Sequence, residues 1–462
     1  MSNAFKVFVI FMSVMDVARQ PYTVKWLILG ILIGSAAGAS ALTFYLMLRL
    51  TTYIFLNLLV GYEQPEPIGL GGSLMYAPRI ERPWLIPVST VIGAVIVAYL
   101  AREFRESRAG LDAIIEAYHG RRRPFSNPVL HGFINVVLST ITIGSGGSAG
   151  PEAPTGNFGG SLSHFIAKRL GLDEEDKALA MIVGMGAALG AIFKAPIGGA
   201  LLAAELPYRR DLEVRALYPA LVASLVAYAI FCLVTGFKPY LGRVMMSTPT
   251  ASIPLYVVLG FVDGAVAIIY IESLDGVRRL FSGLGVNDVV RTAIGGLIIG
   301  LIGLATPQVL GASEGWMDLA IYARLSAFSS QVIPLIILLA LLPLIKIIST
   351  SITLGSGEVG GVFAPGLVIG TFTGLDMGLL FHSLYPALTP SVAPFVVVSS
   401  LAMFGAASNA PLAVMVMLLE MTSNYQILPE AVIASAIAYL MTTWRFTVFK
   451  AQRINKRHAR HE

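Results

Sequence analysis

Charge is what this sequence has least of. Of 462 residues only 13% are Asp, Glu, Lys or Arg, while 56% are apolar. Soluble domains carry roughly 25% charge, so a soluble multidomain enzyme and a disordered scaffold are both excluded. Cysteine is nearly absent too. The single Cys232 rules out a disulfide framework and a cysteine-based metal site, and it lies in an apolar run as a buried bystander. The six histidines have no ligand spacing, so no metal and no cofactor is expected. His-Glu-x-x-His does not occur, and the two Gly-x-Ser-x-Gly strings, at 146–150 and 311–315, fit helix breaks better than a nucleophile, which speaks against an enzyme, whether intramembrane protease or lipid transferase. Acidic residues are too sparse in the apolar runs for a cation transporter. Residues 5–15 are apolar but end in Asp16 and Arg19 without a small-residue cleavage site, so a short interfacial helix is expected there rather than a signal peptide.

What the chain has is long apolar runs, among them 84–100, 217–235 and 332–348. A helix needs about 20 such residues to cross a bilayer. The pattern predicts helices at roughly 25–59, 84–102, 128–143, 178–206, 214–235, 253–272, 288–304, 332–350, 362–382, 392–420 and 430–449. The expected fold class is an all-α polytopic membrane protein, one transmembrane domain over 1–462 with 450–462 as a short basic cytoplasmic tail. Net charge is +5, but the basic residues cluster between apolar runs, as at Arg121–Arg123, Lys168-Arg169, Arg209-Arg210 and Lys456-Arg457. Such clusters mark cytoplasmic loops, so a lipid bilayer is the expected partner and nucleic acid is not. Gly 46 and Pro 25 are high for plain spanning helices. Glycine and proline break helices in mid-membrane only inside protein or along a cavity, which favours a transporter or channel over an anchor.

The chain also repeats itself. Residues 144–159 read GSGGSAGPEAPTGNFG and 355–370 read GSGEVGGVFAPGLVIG, an offset of 211. Residues 190–205 read GAIFKAPIGGALLAAE and 405–420 read GAASNAPLAVMVMLLE, an offset of 215. Two ordered motif pairs at nearly equal offset indicate duplicated halves, about 25–240 and 250–449, a common transporter device. An inverted arrangement would bring both Gly-rich segments to the midplane from opposite sides.

Each Gly-Ser-Gly…Ala-Pro segment precedes a helix, with Pro154 and Pro365 suited to its first turn. The first N–H groups of a helix are unpaired and carry partial positive charge. Two such ends converging would bind an anion and, lacking a full cation, could release it. Glu152 lies inside the first segment. An intramembrane carboxylate is a functional candidate by default. Ionised, it can occupy the anion site as a tethered anion; protonated, it leaves. A plain helix-capping role is the alternative. Glu205 and Glu420 end apolar runs at matching repeat positions and are read as hydrogen-bonding structural carboxylates, with a proton or ion role as the alternative.

At this point the residues resemble the CLC family of chloride channels and chloride/proton exchangers. Gly361-Val362-Phe363-Ala364-Pro365 fits its GxFxP motif, and 142–160 is similar to its GREGP segment with flanks. Setting Gly147–Pro151 on GREGP is a competing register, rejected because Pro154-Thr155 and Gly159-Gly160 fit PTxxxGG only in the first. Residues 405–426 are similar to the family's late helices. The resemblance implies two inverted halves of broken and tilted helices, with one pore per subunit of a homodimer in a cell membrane, of the prokaryotic plasma or inner-membrane type. It implies Glu152 as the gating glutamate. Chloride would sit against backbone amides at Val362 and Phe363, near Gly150 and Pro151. The CBS pair of larger relatives has no counterpart in these residues.

The sequence departs from the family pattern in three places. The first motif, GSGIP, best matches Arg108-Ala109-Gly110-Leu111-Asp112, with Ala109 where a hydroxyl donor is usual, so the chloride-binding positions here are Ala109 and Gly110. The late tyrosine position is Phe449. Loss of two neutral hydrogen bonds weakens the central site by roughly 0.5–1.5 kcal/mol each. The inner proton-glutamate position is Leu206, which cannot titrate. These departures favour passive, channel-like chloride conduction, with chloride/proton antiport as the alternative and a fluoride-selective variant as a lesser one. If Glu152 is the gate, Glu152→Ala abolishes pH-dependent gating or proton coupling while anions still cross. Unchanged pH dependence of flux in that variant would overturn the assignment.

Overall fold

The computed structural model describes residues 17–104, 110–124, 126–244, 246, 248–328, 333–442 and 446–456. The described residues are helical, without strands. The first half contains α1 (Tyr22–Thr52, prolonged as a π-helix to Val60), α2 (Ile86–Glu103), α3 (Leu111–Tyr118), α4 (Pro128–Gly144), α5 (Glu152–Arg169), α6 (Glu174–Ile192), α7 (Pro196–Glu205) and α8 (Val214–Thr235). The second contains α9 (Ile253–Ser282), α10 (Asp288–Ala305), α11 (Gly315–Ile321), α12 (Leu335–Ser356), α13 (Phe363–Leu384), α14 (Ala393–Ser408), α15 (Pro411–Thr422) and α16 (Leu428–Thr442). Seven helices among the described residues are long and apolar enough to cross a membrane.

Small residues set the helix spacing. Gly30, Gly34 and Gly38, one turn apart on α1, meet α8 so closely that a Cβ on Gly34 would lie 2.4 Å from the Ala223 carbonyl oxygen. Side-chain-free faces let membrane helices approach in this way. The second half repeats the contact: Gly260 of α9 packs on Ala434 and Ile437 of α16, as Gly34 packs on Ala223 and Val226.

The runs 178–206 and 392–420, each expected as one helix, are each two. They break at Lys194 (φ 53) and Asn409 (φ 52), positions related by the repeat offset. The cause is the following Ala-Pro: proline lacks an N–H and bars the α conformation for the residue before it. The left-handed residue at each break is tied down. Lys194 Nζ donates to the carbonyls of Gly69 and Gly236, both at 2.7 Å, and Asn409 Nδ2 donates to Phe446 O at 2.9 Å. The run expected to reach 449 ends as a helix at Thr442.

Beyond these breaks the two halves clasp each other. Glu205 accepts hydrogen bonds from Leu412 N–H (3.3 Å) and Ala413 N–H (2.7 Å) at the start of α15. Glu420 accepts from Ile197 N–H (3.1 Å) and Gly198 N–H (2.7 Å) at the start of α7. Each donor pair is the repeat equivalent of the other, so the two contacts are related by a two-fold rotation. An inverted repeat has such a two-fold axis, and the contacts give both glutamates a capping role.

The basic clusters gather at one end. Arg209 and Arg210 N–H donate to Arg453 O (2.8 Å) and Ile454 O (3.1 Å), and Lys456 pairs with Glu213 at 3.1 Å, which also accepts from Tyr118. By the excess of Lys and Arg this is the basic end of the molecule. The clasp yields a test. Glu205→Ala leaves two donors unsatisfied and is expected to destabilise by about 1–3 kcal/mol, seen as a lower thermal midpoint in detergent. Glu420→Ala, at a more exposed site, is expected to cost less.

Candidate functional site

Two helices, α4 and α12, stop near the centre of the molecule for the same reason. Each is followed by a left-handed glycine, Gly146 (φ 113) and Gly357 (φ 112), whose N–H returns to Ile143 O (3.1 Å) and Leu354 O (3.3 Å). Glycine adopts this turn without a Cβ penalty. The chain then runs to Gly150 and Gly361, which exchange N–H···O bonds of 2.9 Å in both directions. These too are repeat equivalents. Two residues later α5 and α13 begin, at Glu152 and Phe363, so both N-termini face one place.

Glu152 fills that place. It is fully buried, and its carboxylate accepts from Phe363 N–H at 2.5 Å and from Ala364 N–H at 3.3 Å. A carboxylate on a helix N-terminus satisfies orphan donors and the helix dipole together. The fit depends on glycine. A Cβ on Gly361 would lie 1.7 Å from Oε1 of Glu152, and one on Gly150 would lie 2.1 Å from Oε2. Tyr270 holds the receiving loop, its hydroxyl donating to Val362 O at 2.8 Å. Phe363 packs on Phe193 and Phe404, ring centroids 5.3 and 4.5 Å away.

A cavity of about 240 Å3 adjoins the carboxylate, lined by Gly110, Asp112, Glu152, Arg278, Glu358 and Phe449 among others. It lies toward the basic end. Asp112 accepts from Ala451 N–H at 2.9 Å, and Lys450 pairs with Asp275 at 2.7 Å, beside Val448 and Phe449 on its wall.

The structure therefore brings Gly110, Glu152, Val362 and Phe449 to one cavity. The Phe363 N–H is taken by Glu152, and the Gly150 N–H by Gly361 O. Gly150 and Pro151 do not line the cavity. Leu206 is fully buried away from it, its carbonyl accepting from Gln452 Nε2 at 3.1 Å. Ala109 lies outside the described residues. Glu358, Arg278 and Tyr270 were not singled out from the sequence. Glu358 had a signal, an acid inside the second Gly-rich segment where the first has Gly147.

The sequence profile of the voltage gated chloride channel family, the CLC family, matches residues 93–443. The chain belongs to the CLC family. An uncharacterized protein of Methanocaldococcus jannaschii is 29% identical over 376 residues, covering 81% of this chain and 89% of that one. The H(+)/Cl(-) exchange transporter ClcA of Salmonella paratyphi A is 28% identical over 311 residues, covering 65% of this chain and 63% of the transporter. The match thus spans less than two thirds of that transporter's length. A crystal structure of a slow cyanobacterial Cl-/H+ antiporter superimposes with a TM-score of 0.73 at 22% identity, over 92% of this chain and 94% of that one. The last likeness establishes a CLC fold.

The packing of Glu152 between two glycines can be tested on this CLC protein. In Gly361→Ala the new methyl group takes the carboxylate's position, and a structure of the variant is expected to show Glu152 displaced from the Phe363 N–H.

Proposed function

We propose that this protein carries chloride across a membrane in exchange for protons, with Glu152 as the gate. The observation that carries the reading is the Glu152 carboxylate on the first N–H groups of α13. A carboxylate and a chloride ion compete for the same donors. Protonation weakens the carboxylate as an acceptor, so a proton arriving on Glu152 releases it and a chloride takes its place. Backbone dipoles hold the ion without a full cation and so let it leave. Chloride would meet the amides of Val362 and Phe363 and pass Gly110, Gly150, Pro151 and Phe449, with Ala109 and Phe449 offering no hydroxyl. The site is accordingly weaker than one with both hydroxyls.

Leu206 speaks for the passive, channel-like conduction favoured by the sequence. The relatives weigh the other way: ClcA is named an H(+)/Cl(-) exchange transporter and the cyanobacterial protein a Cl-/H+ antiporter. Exchange is the reading they support better. A homodimer with one pathway per subunit, in a prokaryotic plasma or inner membrane, belongs to the same proposal by family resemblance.

The test uses proteoliposomes loaded with chloride, recording external chloride and pH together. Exchange predicts chloride efflux with uphill proton movement in fixed ratio, and loss of the proton component in Glu152→Ala. Chloride efflux without proton movement would leave conduction as the function. No chloride movement would put the anion itself in doubt and make fluoride the next ion to load.

A further inference from the structure

Exchange requires protons to reach Glu152 from the basic end, and Leu206 cannot carry them. Glu358 stands on the cavity that reaches Glu152. It is only 6% exposed, and its carboxylate makes no hydrogen bond or ion pair with any described residue. Ser148 N–H donates to Thr353 Oγ1 at 3.0 Å, and the Ser148 and Thr350 hydroxyls pair at 2.9 Å. A buried carboxylate without protein donors needs water or a proton, and the cavity supplies the opening for both.

Its place is made by the repeat. Glu358 corresponds to Gly147 in the first half, and a Cβ on Gly147 would lie 3.0 Å from Glu358 Oε2. The carboxylate thus uses space that its own counterpart leaves empty. The charged groups around it come from several elements. Asp112 of α3, Glu152 of α5 and Arg278 of α9 line the same cavity. Arg291 of α10 lies beside Gly357 but is held by Ser356 O (3.1 Å) and Asp288 (3.0 Å), and Lys450 is held by Asp275.

We propose that Glu358 is the proton-loading carboxylate of this transporter, taking protons that enter the cavity past Asp112 and Arg278 and passing them through cavity water to Glu152. The inference rests on the exchange reading. In the transfer the O–H bond of Glu358 breaks, water relays the proton, and an O–H bond forms on Glu152. Glu358 is left as a carboxylate and is reloaded from the basic end. The neutral Glu152 gives up the Phe363 N–H to chloride. Once a second proton has reloaded Glu358, both carboxyls are uncharged while the anion is present, so neither repels it. The route lies in the cavity and has no need of an acid at position 206.

The experiment is the paired chloride and proton measurement on wild type, Glu358→Gln, Glu358→Asp and Glu358→Ala. Glu358→Gln is expected to lower the proton-to-chloride ratio at least ten-fold while chloride still crosses, and Glu358→Asp to recover part of it. A merely structural role would lower both fluxes together and leave the ratio alone. Glu358→Ala removes the carboxylate without adding volume and gives the same reading if the glutamine variant does not fold. A wild-type ratio in either Gln or Ala variant overturns the inference and leaves exchange standing. Chloride efflux without protons from the wild type removes the exchange reading, and this inference with it.

Discussion

The pair of hydrogen bonds between Gly150 and Gly361 is the contact on which the rest of the arrangement depends. The two residues occupy equivalent positions in the two halves, so the bonds sit on the two-fold axis relating them. Glycine at both positions leaves room for the Glu152 carboxylate, which a Cβ on either residue would strike. Once that contact is made, α5 and α13 must begin two residues further on, with their N-termini toward one another. Two positive helix ends brought together repel, and a negative charge between them removes the repulsion. Glu152 provides it from within the chain.

The same axis governs the second junction. Glu205 and Glu420 each cap the helix that starts opposite, and the breaks at Lys194 and Asn409 supply those helix starts. Interhelical carboxylate contacts of this kind are strong where water is absent. Glu152, Glu205 and Glu420 thus each sit where a backbone donor would otherwise be orphaned. This explains how a sequence with so little charge can hold several buried glutamates.

Much of this was legible in the sequence, because the duplicated motifs carry backbone instructions. Gly-Ser-Gly and Ala-Pro encode turns and helix starts directly, so both junctions, Glu152 and the paired roles of Glu205 and Glu420 could be read from spacing. The short breaks were less legible. Runs 178–206 and 392–420 are apolar throughout, and hydropathy does not register one left-handed residue. Helix α5 was hidden for the opposite reason. Its Gly, Ser, Thr, Asn and His residues face protein rather than lipid, so it lacks the apolar signature of a span. Glu358 was overlooked because its meaning lies in the space left by Gly147, on a segment 211 residues away.

Two-fold symmetry has a further consequence. A scaffold related to itself by inversion across the membrane presents the same face to both sides and has no inherent polarity. Direction must then come from the positions where the copies have diverged. At the centre these include Glu152 opposite Phe363 and Glu358 opposite Gly147, on a cavity that lies toward the basic end. Unmatched side chains thus give a two-fold framework its inside and its outside.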